Sequence, residues 1–303
     1  MKTWHYALLV LLGGCCYGAL STFVKLAYAA GFTSSAVTGS QLLMGTLIIW
    51  IVALFSKKKK LTLQKIGKLL LSGIPLGLTS LFYYQSLQTL NASLAIIFLF
   101  QFVWIGSLFE WFFYKKKPTM EKVVSIAILV VGSIFASGII AGGSVELTWQ
   151  GTLWGILSAI TYTTFIFLSG SVEKDTPVVQ KSALFTTGGM ITVFIISPPT
   201  ELLHLSVLME IAPYGFYLGL LGVVLPPLLF TIGMPHIGPG LGTILTSAEL
   251  PIAVILSSLV LTEQVSMSQW LGVVLILGGI IAGNLKFSKT KIKSSYLERE
   301  STL

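Results

Sequence analysis

The sequence predicts an all-α membrane protein whose ten transmembrane helices form two inverted five-helix repeats. Three observations carry that prediction. Of 303 residues, 54% are hydrophobic and only 10% charged, with a mean hydropathy of +0.88. An ordinary soluble domain is about 25% charged, so a large share of this chain's surface has to face lipid. Apolar windows of about 20 residues, the length that crosses roughly 30 Å of hydrocarbon, recur along the chain. Basic residues gather at alternate connections between those windows.

The windows run over residues 5–28, 33–55, 66–87, 91–114, 121–142, 150–170, 178–197, 214–234, 239–261 and 267–285. The first follows Lys2 and contains Leu12-Gly13-Gly14-Cys15, which is similar to a lipoprotein cleavage box. Its apolar run continues to Tyr28 without a polar mature domain behind it, so the span is expected to be retained. Cys15 and Cys16 are adjacent on one helix and point in different directions, which argues against a mutual disulfide. Lys57 to Lys60 close the second span, Lys115 to Lys117 the fourth, and Pro198-Pro199 the seventh. Gly238-Pro239-Gly240 has the composition of a turn between spans eight and nine. Residues 286–303 read as a polar cytoplasmic tail.

Charge tests the count. With a cytoplasmic N-terminus, every basic residue except Lys25 falls in an inner segment, while the outer connections carry Glu146, Glu201, Glu210 and Glu263. A wrong number of spans would scramble this partition. The net charge of +8 does not point to nucleic acid, because the lysines cluster between apolar segments instead of lining one face.

The two halves, 1–145 and 146–285, resemble each other. Residues 90–135 align with 237–282 at an offset of 147, pairing Leu94 with Leu241, Ile97 with Ile244 and Gly132 with Gly279. Five spans per half is odd, so the second copy enters the membrane upside down. The lysine-rich connections after spans two and four correspond to glutamate-bearing, lysine-free ones after spans seven and nine. Many secondary transporters are built this way, with the substrate at the midplane between repeats.

Pro251, the apolar run to Leu261, Glu263, Gln269-Trp270, Gly272 and Leu275 to Gly279 resemble the ending of an EamA-type repeat. Similar pieces occur near Gly14 to Lys25 and Tyr83 to Phe100. The chain to about residue 285 resembles the EamA family of the drug/metabolite transporter superfamily. That resemblance implies ten helices in two inverted repeats and movement of amino acids, other metabolites or drugs, often outward. The first repeat departs from the pattern: Trp104 stands where a proline is expected, and lysines replace the acidic turn after span four.

Glu249 is the foremost candidate site residue. It lies halfway along span nine, where a carboxylate costs about 2.5–3.5 kcal/mol on insertion scales. Such a group contacts a substrate amine, couples protons, or is held protonated between helices for packing. Pro251 frees the carbonyl of Ser247 from its helical bond, so Thr246, Ser247 and Glu249 make a polar, kinked patch. Gln101, one residue from the repeat position of Glu249, either lines a cavity wall with Tyr83, Tyr84, Gln85 and Trp104 or, with them, serves hydrogen bonding between helices. Gln41 reads as structural. Lys25 either snorkels to the headgroups or attracts a substrate carboxylate in an outer vestibule. Pro75 in span three and Pro226-Pro227 in span eight interrupt corresponding helices, and with Pro251 they are the hinge candidates.

No histidine has metal-ligand spacing and no phosphate-cradling glycine loop occurs, so neither cofactor nor ATP drive is expected. The partners expected are a small-molecule substrate and membrane lipid, with proton coupling left open. An intramembrane enzyme would need paired acids and bases at mid-depth, and only Glu249 lies deep. A lipid-linked carrier flippase or a sensor remains as an alternative, since fold alone does not fix function.

Overall fold

The computed structural model describes residues 3–90, 92–137, 139–141, 148–260, 262 and 265–282. Lys2, Glu146, Glu263 and the expected tail 286–303 lie outside the described residues. Among the described residues there is no strand. The helices are α1 (Thr3–Ala29), α2 (Ser34–Leu54), α3 (Leu63–Thr89), α4 (Ala92–Phe100), α5 (Phe102–Tyr114), α6 (Met120–Ala136), α7 (Trp149–Ser171) and α8 (Val178–Ile196). They continue as α9 (Leu205–Leu218), α10 (Leu225–Ile237), α11 (Pro239–Thr246), α12 (Glu249–Val260) and α13 (Met267–Ala282). Eight stretches are long and apolar enough to cross a membrane; α6, with 17 residues, and α13 are shorter.

Threonine starts four of these helices for one physical reason. The first backbone N–H groups of a helix have no internal acceptor. Thr33, Thr62, Thr119 and Thr148 each turn a hydroxyl onto the amide three residues on, at 3.3–3.4 Å. At the turn between α10 and α11, Gly238 adopts φ +82°, a left-handed conformation suited to glycine, and Pro239 follows at the first helical position.

Contacts between connections sort the helix ends into two sets. At one end Lys65 pairs with Glu173 at 3.0 Å, and Gln180 exchanges hydrogen bonds with the backbone of Lys59. Tyr6 stacks on His236, and Lys122 pairs with Glu110 at 2.6 Å beside Gly240. At the other end Thr148 donates to the Thr89 carbonyl, and Thr33 donates to Glu201. So α1 starts at the lysine-bearing end, whereas α7 starts at the opposite one.

Glycine lets α3 and α8 meet backbone to backbone. A Cβ at Gly73 or Gly77 would overlap the carbonyl of Phe185 or Gly189, and one at Gly188 would overlap that of Leu70. Lys181 is buried in the same region, with 1% exposure. Its ammonium donates to the Ser169 carbonyl at 2.8 Å and lies 5.4 Å from the centre of the Phe185 ring, so it tethers the end of α7 to α8. Its charge in the sequence marks topology alone; the burial adds a structural role.

The region of span eight departs from the expected boundaries. Helix begins at Leu205, not 214, and runs through to Ile237, so Glu210 lies within α9 and not in a connection. Pro213 is accommodated inside α9. Between α9 and α10 the chain widens into a π-turn, Gly219–Val224, closed by the Leu225 amide on the Leu220 carbonyl. Pro226 and Pro227 occupy the first turn of α10, where their missing N–H groups would have bonded the turn before. The widened turn is the backbone's answer to those two lost donors.

Candidate functional site

Spans four and nine are each broken in the middle, at positions one repeat offset apart. In span nine α11 ends at Thr246 and α12 starts at Glu249. Pro251 has no N–H for the Ser247 carbonyl, which accepts from Leu250 at 3.3 Å instead, and Ala248 likewise bonds the Leu245 carbonyl at 3.3 Å. This tightened turn lifts Glu249 to the head of α12. In span four Gln101 separates α4 from α5 without a proline. Its amide turns to the Phe98 carbonyl, and its side-chain Nε2 takes up the carbonyl of Ile97 at 2.8 Å. The indole of Trp104 then donates to Gln101 Oε1 at 2.6 Å.

Helix α1 crosses the break in span nine directly. Gly14 lies against the backbone of Thr246 and Gly18 against the carbonyl of Glu249, each so close that a methyl group would collide. Only a helix bare at these two positions fits there.

Beside this crossing lies a cavity of about 540 Å³. Its wall is drawn from α1 (Tyr17, Ser21, Thr22, Lys25, Tyr28), α2 (Gln41), α3 (Thr79, Ser80, Tyr83, Tyr84), α4 (Ile96, Leu99), α7 (Tyr162), α12 (Glu249, Leu250) and α13 (Gln269). These residues fall in the later parts of α1 and α3 and the early parts of α2 and α13. The mouth therefore faces away from the lysine-bearing end. Towards that end a continuous set of rings closes the bundle. Tyr17 and Tyr162 meet edge to face at 5.5 Å, Tyr162 meets Phe102 at 4.9 Å, and Tyr17 meets Phe230 at 5.9 Å.

Glu249 is the acidic residue of the cavity wall. Its Oε2 receives the Tyr162 hydroxyl at 3.5 Å, and it makes no ion pair among the described residues. The hydroxyls of Tyr17 and Thr22, both in the wall, are buried without a hydrogen-bond partner among the described residues. Tyr84 donates to Gln41 Oε1 at 3.5 Å.

Of the residues singled out from sequence, Glu249, Tyr83, Tyr84 and Lys25 come together at this cavity. Lys25 is exposed at its mouth. Gln101, Trp104 and Ser247 do not line it: Gln101 and Trp104 are spent on the break in span four, and buried Ser247 donates to Ile244. Gln85 borders a separate polar recess of about 210 Å³, with Thr33, Ser34 and Gln88. Pro75 sits inside an unbroken α3, one residue from the lining Leu76. Tyr17, Tyr28, Tyr162 and Gln269 line the cavity although the sequence does not single them out for it, and Gln41, which reads as structural there, lines it too. A polar or phenolic side chain at mid-span is the signal they share with Tyr83.

A comparison with curated protein sequences finds no significant match. Among solved structures, one crystal structure superposes with a TM-score of 0.74 over 93% of this chain and 98% of its own, at 16% identity. At that identity the likeness speaks for the fold alone. The EamA-like transporter family matches twice, over residues 4–138 and 149–284, once in each half. With nearly all of both halves matched, the chain belongs to the EamA-like transporter family and is a multi-pass membrane protein.

Proposed function

We propose that this protein is a secondary transporter of the plasma membrane that exports or exchanges small metabolites, amino acids and related compounds or drugs among them, by alternating access. One observation carries the reading. The cavity is walled by helices of both halves at the broken middle of span nine, with Glu249 at the break. Discontinuous helices at mid-depth are where transporters of this construction hold their substrates.

Two further features support ten spans in inverted repeats. The breaks at Gln101 and at Ser247-Ala248 agree with the 147-residue offset, as do the residues that follow them, Phe102 and Glu249. In each case the first helix of the other half meets that following residue's carbonyl: Thr163 of α7 donates to Phe102 at 3.4 Å, and Gly18 of α1 abuts Glu249. The lysine distribution supports cytoplasmic termini. With that orientation the cavity opens outward, and the aromatic rings and the Glu110–Lys122 pair close the inner side.

The test is flux. Purified protein in liposomes, loaded in turn with a panel of metabolites, is expected to show counterflow of at least one, with and without a pH gradient. Flux equal to empty liposomes across the panel would overturn the reading. Orientation is tested by labelling Lys57→Cys and Glu201→Cys in oriented vesicles, where opposite accessibility is expected.

A further inference from the structure

Resting on that transport reading, we propose that the cavity selects a small organic monocation: an amine whose ammonium meets Glu249 among Tyr17, Tyr83 and Tyr162, with an apolar or aromatic body. Four observations converge on this. Glu249 is a carboxyl group in the cavity wall with no cation paired to it among the described residues. Three tyrosines share that part of the wall, and ring faces attract a desolvated cation. Among the described residues the Tyr17 hydroxyl, in the same part of the wall as Glu249, has no hydrogen-bond partner, so its oxygen is unspent as an acceptor. The rest of the wall, including Leu76, Ile96, Leu99 and Val254, is apolar, and about 540 Å³ accommodates a ring or short alkyl body.

Within the range of solutes proposed above, the same geometry narrows the choice away from α-amino acids. An α-amino acid's carboxylate is joined to the carbon bearing the ammonium, so seating the ammonium at Glu249 brings like charge against like. The cavity's lysine, Lys25, lies seven residues beyond Gly18 on α1, a rise of about 10 Å. It stands at the mouth, not at the carboxylate. A wall with, among the described residues, one acid and no deep base discriminates by charge.

A matched set of ligands tests this by ligand-induced stabilisation of the purified, full-length protein. We expect 2-phenylethylamine to raise the melting temperature by roughly 3 °C or more at saturation, and phenylalanine and 3-phenylpropionate to raise it at least threefold less. Glu249→Gln should abolish the amine's effect. If that variant does not fold, Tyr17→Phe and Tyr83→Phe should each raise the half-saturating amine concentration at least threefold. Equal or greater stabilisation by phenylalanine, or none by any amine, overturns the assignment. Failure of the transport reading looks different: the amine would bind, yet no solute would move in liposomes. Flux of non-amines alone sinks the substrate class and leaves transport standing.

Discussion

Gly18 of α1 lies flush against the backbone carbonyl of Glu249, at the break between α11 and α12. A side chain there would have to push the two halves apart at the point where the cavity is founded. Gly18→Ala is therefore expected to lower stability by about 1–3 kcal/mol, the usual cost of overpacking, and to reduce flux severely. Gly67, which has open space around its missing Cβ, is the control. Gly67→Ala should be neutral or stabilise by up to about 1 kcal/mol. Thermal melting of both variants beside wild type checks this.

Glu249→Gln keeps the size and hydrogen-bonding capacity of the side chain and removes its charge. Flux should fall at least tenfold at every pH tested, with expression and melting temperature unchanged or raised. Wild-type flux in this variant would remove Glu249 from the mechanism. Tyr162→Phe, which deletes only the hydroxyl donated at 3.5 Å, should have a smaller effect on flux.

The Glu110–Lys122 pair joins α5 to α6 against the start of α11, and both side chains are mostly buried, with 13% and 16% exposure. Removing one partner strands the other. Glu110→Gln and Lys122→Met should each cost roughly 1–3 kcal/mol, less than for a fully buried pair. The double variant should recover part of that loss. Additive losses in a double-mutant cycle would show that the two residues are not coupled.

Pro226 and Pro227 are expected to matter through the π-turn before them. Pro226→Ala with Pro227→Ala restores two backbone donors and should let the helix run on in ordinary register. Melting temperature should hold or rise while flux falls several-fold, because a hinge has been straightened. Unchanged flux in a protein whose helix has become regular would end the hinge reading.

Gln101→Leu deprives the Ile97 carbonyl and the Trp104 indole of their partner at once. A loss of about 1–3 kcal/mol is expected from the stranded groups, with the half-saturating substrate concentration unaltered. A changed affinity would place Gln101 at the substrate instead.

How much was legible depended on whether one residue's chemistry was decisive alone. Glu249 could be found because an acid at mid-span is costly wherever it points. Pro251 announced the break beside it, since a missing N–H acts on the backbone whatever the surroundings. Gln101 is ambiguous for the complementary reason. A glutamine at mid-span serves equally to line a cavity or to bond its own helix, and Trp104 at 2.6 Å decides for the helix. Tyr17 and Tyr162 face the cavity while equally aromatic Phe165 is fully buried, and nothing in the local sequence separates them.

That the chain is helical and lipid-embedded, where its apolar windows lie, and which connections carry the lysines can all be read from the residues in order. These follow from hydropathy and charge, which act on each segment alone. Which mid-span polar groups meet is settled by the packed bundle. Whether Tyr162 reaches Glu249, or Lys181 is buried on Ser169, depends on helix rotation and close approach, and those are fixed by packing between segments remote in the chain.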